Sequence, residues 1–246
     1  MEGTIPAQME EGATMVKIMD YTSAKLPEPP VTAWCSEGGR EMYTPSSDRQ
    51  LYQSIAAVKF LLVDNRHFPL SVKLIVETHR LMMENSYHLC DHGRIRVALV
   101  VGSFRTKEVN AGFCQFVPAT AVARATTFIV REYNKIANHQ HPIQLATYLF
   151  YELITIHPFE NGNGRLCRLL LAWSLMRDGL PFAVNFSSGH RSRRQHYMHA
   201  INTARSGSRG ELNVILLLSI EWVLSNYLEN ERVMQLADVV TIEEKN

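Results

Sequence analysis

Residues 157–168 read HPFENGNGRLCR, and this stretch is the most informative part of the sequence for both fold and function. Apolar side chains dominate the segments on either side of it, residues 145–156 and residues 166–176. Segments that are apolar on almost every side are typical of helices buried at the centre of a bundle. We therefore expect a polar, glycine-rich loop between two central helices, in a domain that is mainly α-helical.

The glycines of this stretch predict a site for an anion. Pro158 disfavours the helical conformation at the residue before it, so the first helix should end at His157. The Asn-Gly pairs at 161–162 and 163–164 are turn formers that tolerate positive φ. Such glycines let several backbone N–H groups point towards one ligand, and the start of the next helix adds more of them.

Two arginines and a histidine give this loop its predicted chemistry. Arg165 and Arg168 are three residues apart on the second helix, so they share a face and suit a chain of phosphates. His157 stands at the edge of the loop, where an imidazole can accept a proton from a hydroxyl group. A turn, a structural histidine and a solvated arginine face are each common alone. Their convergence within residues 157–168 favours a phosphate-binding site.

Outside the central helices the sequence divides into an arm, a domain and a tail. Residues 1–45 carry scattered prolines and glycines without apolar periodicity, which predicts an irregular N-terminal arm. Residues 46–235 form the predicted domain, and residues 236–246 form the tail. Within the domain, turn formers in residues 93–118 predict a short hairpin or an extended loop, and residues 214–228 form a third strongly apolar helix.

Composition and charge argue against several classes of protein. The chain has 25 Lys and Arg against 24 Asp and Glu, a net charge of +1, which disfavours a dedicated nucleic-acid-binding protein. Its 4 cysteines lack CxxC spacing, so neither a disulfide framework nor a zinc site is expected. The first 15 residues have no basic side chain, unlike a signal peptide, and the apolar stretch 214–224 is too short to span a bilayer. We therefore expect a cytoplasmic protein with no membrane span.

The motif and its surroundings resemble a known family. Residues 157–168 are similar to the Fic-domain signature, HxFx(D/E)GNGRxxR, at all positions except Asn161. The resemblance covers roughly residues 48–230 and implies a Fic-type helical bundle with a small β-hairpin flap. Similarities to the family's early helix, flap and following helix lie at residues 74–82 with His79, at residues 102–106 with Val109, Gly112 and Pro118, and at Arg194 and Tyr197.

The resemblance implies a protein adenylyltransferase, because Fic proteins mostly transfer AMP from ATP to a Tyr, Thr or Ser hydroxyl of a target protein. It assigns His157 as the base, with the hydroxyl attacking the α-phosphorus and pyrophosphate leaving, and Phe159 as the anchor of the loop. The residues that it implies for ATP are Gly162, Asn163, Gly164, Arg165, Arg168 and Tyr197. Those that it implies for the target-binding flap are Lys107, Glu108, Val109, Asn110, Ala111 and Gly112.

Asn161 is the departure from the family pattern, which has Asp or Glu there to bind Mg²⁺. A neutral amide oxygen binds Mg²⁺ more weakly than a carboxylate does, so Mg²⁺ or Mn²⁺ is expected to arrive mainly with ATP. Two alternatives to a transferase stay open. One is a nucleotide-binding regulatory protein whose transferase activity is weak or lost, and the other is an enzyme that removes AMP.

Residues 225–230 resemble a second family element, an inhibitory helix with the pattern (S/T)xxxE(G/N). The resemblance implies that Ser225 and Glu229 belong to this helix, and that Glu229 pairs with Arg168 and blocks the position of the γ-phosphate. The plain alternative is an exposed glutamate at the end of a helix. A homodimer is a further expectation that comes from the family alone.

Overall fold

The computed structural model describes residues 47–90, 95–111, 114–186 and 193–243. The predicted N-terminal arm, residues 1–45, lies outside the described residues. Within these ranges most of the chain is helical, so the prediction of a mainly α-helical protein is confirmed. The α-helices are α1 (Ser47–Val58), α2 (Val72–Met83), α3 (Val122–Ile136), α4 (Pro142–Ile156), α5 (Asn163–Arg177), α6 (Arg193–Ala204) and α7 (Gly210–Glu243).

Helices α4 and α5 form the centre of the fold, as their apolar sequences predict. Helix α4 begins with Pro142 in its first turn, where a missing N–H is harmless, and the side chain of His141 accepts a hydrogen bond from the N–H of Ile143. Fully burying one leucine stabilises the fold by about 1.5–3 kcal/mol. The two helices bury Leu145, Leu149, Phe150, Leu153, Leu166, Leu170, Leu171 and Trp173 in one core.

The β structure consists of short paired strands beside these helices. Strand β1 (Tyr87–Cys90) pairs antiparallel with β2 (Ile95–Ala98), and β3 (Asn110–Ala111) pairs antiparallel with β4 (Cys114–Gln115). The sequence predicts extended structure only from residue 93, so the strand that begins at Tyr87 was missed. Residues 112 and 113, which join β3 to β4, lie outside the described residues, so the predicted hairpin flap stays a prediction.

Helix α7 is longer and more exposed than its sequence predicts. It runs to Glu243, past residue 235, where the predicted domain ends. Its segment Gly210–Glu231 is long and apolar enough to cross a membrane by length and composition, and 17% of its apolar window is buried. The prediction of no membrane span rested on an unbroken apolar run and is therefore not confirmed. Large apolar side chains exposed on this helix are Val214, Leu217, Leu218, Trp222, Leu224, Tyr227 and Leu228.

Candidate active site

Two left-handed residues bound the loop between α4 and α5. His157 ends α4 with φ of 52°, which costs a residue with a side chain about 1–2 kcal/mol. Its N–H donates to the carbonyl of Leu153 at 3.0 Å, as a helix end requires. Gly162 has φ of 78°, and a Cβ atom there would lie 2.7 Å from Sδ of Met83. The turn therefore needs glycine at position 162, for its conformation and for the space.

A buried asparagine closes the loop. The side chain of Asn163 accepts a hydrogen bond from the N–H of Phe159 at 3.0 Å and donates one to the carbonyl of Phe159 at 2.8 Å. Phe159 is fully buried, so it anchors the loop in the core as the resemblance implies. Because both polar atoms of its side chain bind Phe159, the side chain of Asn163 holds the loop closed.

His79 of α2 supports the same loop from the other side. Its ring lies parallel to the ring of Phe159, with centroids 3.7 Å apart. Nδ1 accepts a hydrogen bond from the N–H of Gly102, so Nε2 carries the proton and donates to the carbonyl of Asn161 at 3.0 Å. Burial lowers the pKa of His79 to about 4, which keeps the imidazole neutral at pH 7.

The first turns of α5 carry unpaired amides and two arginines that line one cavity. The first main-chain bond of the helix runs from the N–H of Leu166 to the carbonyl of Gly162 at 3.0 Å, so the amides of the preceding residues have no partner within the helix. Arg165 and Arg168 line the same cavity of about 300 Å³, as their spacing predicts. Its other lining residues are Ser54, Ala57, Val58, Leu62, Met82, Leu169, Ala172, Ala183, Val184 and Asn185.

Among the described residues, the two guanidinium groups have no acidic counterpart. No ion pair joins Arg165 or Arg168 to a carboxylate among the residues that the structure describes. Arg165 instead donates to Sδ of Met83 at 2.9 Å, and burial together with the charge of Arg168 lowers the pKa of Arg165. Arg165 and Arg168 are two positive charges in one partly buried cavity. An anion that lies between them would stabilise both.

His157 is prepared to act as a base. Its ring stacks on Phe116 with centroids 4.0 Å apart, and Nδ1 lies 3.4 Å from the carbonyl oxygen of Ile154. A carbonyl only accepts hydrogen bonds, so Nδ1 carries the proton and the lone pair of Nε2 is left for a substrate. Burial, aided by the nearby charge of Arg105, lowers the pKa of His157 to about 4. The imidazole is therefore neutral at pH 7, the state that accepts a proton.

The residues around Asn161 do not fit a metal held by the protein. The side-chain oxygen of Asn161 accepts a hydrogen bond from the N–H of Gly162 at 2.6 Å. Across the described ranges, no group of three or more His, Cys, Asp or Glu side chains is placed to hold a metal ion. Mg²⁺ or Mn²⁺ therefore stays a prediction that concerns the nucleotide and not a protein site.

The other predicted site residues are spread over three places. Tyr197 of α6 is 6% exposed, and its hydroxyl accepts a hydrogen bond from Nη1 of Arg168 at 3.4 Å, so it belongs to the arginine side of the site. Lys107 and Glu108 are exposed just before β3, whereas Gly112 lies outside the described residues. The side chains of Asn110 and Ala111 are not described either.

The predicted inhibitory residues lie on the exposed part of α7. Ser225 and Glu229 are both exposed. No ion pair between Glu229 and Arg168 is found in the described part of the chain. The structure thus lends no support to the predicted inhibitory contact, which stays a prediction.

The sequence does not predict a role for two residues of this site. Arg105 is 2% exposed and binds the carbonyl of His157, and Phe116 stacks on the same histidine. Both lie within the predicted hairpin or loop of residues 93–118. One sequence feature could have identified Arg105: it is a lone basic residue between Phe104 and Thr106, in a segment that resembles the family's flap.

Sequence comparison connects this geometry to characterised proteins. The model of the Fic/DOC family matches residues 69–175. Protein adenylyltransferase fic-1 of Caenorhabditis briggsae is 30% identical over 130 residues, which are 51% of this chain and 24% of that protein. The chain thus spans about a quarter of the length of this curated relative.

Solved structures show the same fold. A variant of Fic-1 from C. elegans superposes with a TM-score of 0.61 and 23% identity, over 78% of this chain and 56% of that chain. IbpAFic2 covalently tethered to Cdc42 superposes with a TM-score of 0.53 and 20% identity, over 71% of this chain and 55% of that chain. These identities establish the Fic-type fold alone. The family model and the curated relative, together with the motif, identify residues 69–175 as a Fic/DOC domain related to protein adenylyltransferase fic-1.

Proposed function

We propose that this protein is a protein adenylyltransferase, which moves AMP from ATP to a Tyr, Thr or Ser hydroxyl of a target protein. The observation that carries the proposal is the pair Arg165 and Arg168, two cations in one cavity with no carboxylate partner among the described residues. A triphosphate supplies the missing negative charge. The amides at the start of α5 would add further donors to the phosphates.

The chemical step uses His157 and the two arginines. Nε2 of His157 takes the proton from the attacking hydroxyl, whose oxygen forms a bond to the α-phosphorus. The bond from the α-phosphorus to the oxygen that bridges it to the β-phosphate breaks, and pyrophosphate leaves with that electron pair. Arg165 and Arg168 would stabilise the negative charge that grows on the leaving group.

A protein target is the proposed partner of the β3–β4 ladder. Phe116, which directly follows β4, stacks on His157, so the ladder lies beside the base. An extended segment of a target could pair with β3 or β4 and bring a hydroxyl to Nε2. IbpAFic2, which shares the fold, is tethered to the protein Cdc42, in keeping with a protein target. The homodimer and the cytoplasmic location remain predictions.

A second candidate function is nucleotide binding without transfer. The observation that favours it is the amide of Asn161, whose oxygen is bound to the N–H of Gly162. The Asn161→Asp variant separates the two candidates, because activity only in that variant would make the natural chain a binder. Removal of AMP is a third alternative. It needs Glu229 and a metal, and incubation with an AMP-modified protein tests it directly.

The decisive experiment follows the fate of each phosphate of ATP. The chain is incubated with ATP radiolabelled at the α-phosphate and, separately, at the γ-phosphate, with candidate target proteins present. We expect protein-bound label from the α-phosphate only. His157→Ala should lower transfer by about 10²–10⁴-fold while ATP binding, measured by calorimetry, is kept. The matched control is His196→Ala, an exposed histidine on α6. Failure of the natural chain to bind ATP would refute the proposal.

A further inference from the structure

One buried arginine joins the base to the strands beside it. The side chain of Arg105 is fully shielded from solvent. Burying a charge is costly unless hydrogen bonds compensate it, and this guanidinium binds main-chain carbonyls on several sides. It donates to the carbonyls of His157 at 2.7 Å, Lys107 at 3.1 Å, Ile156 at 3.3 Å and also Val117.

These carbonyls belong to two different parts of the site. Ile156 and His157 form the C-terminal end of α4, where carbonyls carry partial negative charge and a cation is favourable. Lys107 and Val117 lie on the two sides of the β3–β4 ladder, one before β3 and the other after β4. One planar guanidinium thus binds both the end of α4 and the β3–β4 ladder. A shift of the ladder would therefore displace the main chain of His157.

Two further contacts tighten this connection. The carboxylate of Glu108 lies 3.6 Å from Nη1 of Arg105 and accepts a hydrogen bond from the N–H of Ala119 at 2.9 Å, so it also links the two sides of the ladder. The N–H of Arg105 itself donates to the carbonyl of Pro158 at 2.9 Å. Main chain and side chain of one residue thus hold the start of the loop.

We propose that Arg105 is a positioning residue, which fixes the imidazole of His157 relative to the β3–β4 ladder where a target segment would pair. The proposal rests on the transferase function proposed above. A purely structural role would predict loss of both AMP transfer and ATP binding, whereas a positioning role predicts that only AMP transfer is affected. Loss of the guanidinium should displace the base and slow AMP transfer, while the arginine cavity at α5 keeps its affinity for ATP.

The test uses Arg105→Lys, which keeps the positive charge but loses the fork of donors. Phe116 stacks on His157, so its ring current shifts the NMR signals of the His157 ring protons. We expect this shift to be largely lost in Arg105→Lys. We also expect AMP transfer to fall by about 10- to 100-fold, since a small misplacement of a catalytic group has such an effect. The Kd for ATP should stay within about twofold.

The matched control is Arg66→Lys, because Nε of Arg66 also donates to a main-chain carbonyl, that of Met176, at 3.0 Å. This control should keep both the His157 signals and the rate. Unchanged His157 signals in Arg105→Lys, or an equal loss in Arg66→Lys, would overturn the proposal. The NMR readout needs no activity, so absence of AMP transfer in the natural chain would refute the transferase function without deciding the role of Arg105.

Arg105 is buried, so a second variant guards against loss of folding. The side chain of Glu108 is 66% exposed. Glu108→Ala removes the ion pair between Arg105 and the ladder but leaves the hydrogen bonds from Arg105 to main-chain carbonyls. We expect a smaller change of the His157 ring signals in the same direction, and a higher KM for the target with an unchanged Kd for ATP. If the His157 signals of Glu108→Ala matched those of the natural chain, the connection would be refuted.

Discussion

The loop at residues 157–168 and the α7 segment at residues 225–230 both match short sequence patterns, yet their surroundings differ. In the loop, matched residues contact side chains of α2: Gly162 packs on Met83, and Phe159 stacks on His79. In the α7 segment, the matched residues point to solvent. The long pattern at residues 157–168 identifies a site, because its residues are held in place by contacts. The short pattern at residues 225–230 lies on an exposed helix and predicts only that a helix is present.

The largest effect is expected at the most crowded residue of the loop. Gly162→Ala places a Cβ atom 2.7 Å from Sδ of Met83, the same sulfur that Arg165 contacts, at a φ of 78°. We expect loss of measurable ATP binding, and a free energy of unfolding lower by about 1–3 kcal/mol from crowding alone. Chemical denaturation and calorimetry measure the two quantities.

Gly179→Ala is the matched control for this variant. Gly179 also has positive φ, 107°, but a Cβ atom there meets nothing within 4 Å. It therefore carries the conformational cost of a left-handed alanine without the collision. If Gly162→Ala and Gly179→Ala lowered stability equally and both bound ATP, the contact with Met83 would not matter.

The next effect tests whether the arginine cavity can bind ATP because none of its described lining residues is acidic. Val58 of α1 lines this cavity together with Arg165 and Arg168. We expect Val58→Glu to pair with the guanidiniums and to weaken ATP binding by about tenfold or more, since a hydrogen bond between charged groups is worth about 1.5–3 kcal/mol. Val58→Gln has the same shape without the charge and should bind ATP several-fold more tightly than Val58→Glu. Equal affinities for the two variants would contradict the electrostatic explanation.

The sequence predicts correctly those features that are determined by local interactions. The buried pair α4 and α5, the end of α4 at His157 and the shared face of Arg165 and Arg168 all follow from neighbouring residues. Helix α5 begins at Asn163, within the second Asn-Gly pair, which the sequence predicts as a turn. The side chain of Asn163 turns back to Phe159 and allows the helix to begin there.

What the sequence did not predict depends on contacts between distant segments. Arg105 binds carbonyls 12 and 52 residues away, at Val117 and His157, and main-chain acceptors leave no trace in residue types. The neutral state of His79 likewise depends on burial against the loop, which periodicity on α2 does not reveal. The pairing of β1 with β2 involves only four residues on each strand.

Two histidines at the loop, the buried His79 and the partly buried His157, should make the stability of the fold sensitive to acid. Burial lowers the pKa of both His79 and His157 to about 4, from an ordinary value of 6.5. Between these values the unfolded chain binds protons that the folded chain excludes, so the free energy of unfolding falls as pH falls from 6.5 to 4. We expect His79→Gln to flatten this dependence in thermal unfolding, and the exposed variant His196→Gln to retain it. A natural chain equally stable at pH 6.5 and pH 4.5 would contradict this prediction.

The smallest effect is expected at Glu229, where the sequence pattern predicts a large one. If Glu229 held Arg168, then Glu229→Gln would release the cavity and raise both ATP affinity and self-modification severalfold. Because the side chain is exposed and no ion pair with Arg168 is found in the described residues, we expect both quantities to stay within about twofold of the natural chain. Glu221→Gln, at another exposed position of α7, is the matched control. A severalfold rise in Glu229→Gln, absent from Glu221→Gln, would show that α7 reaches the arginine cavity in another conformation and that the short pattern had identified a true inhibitory element.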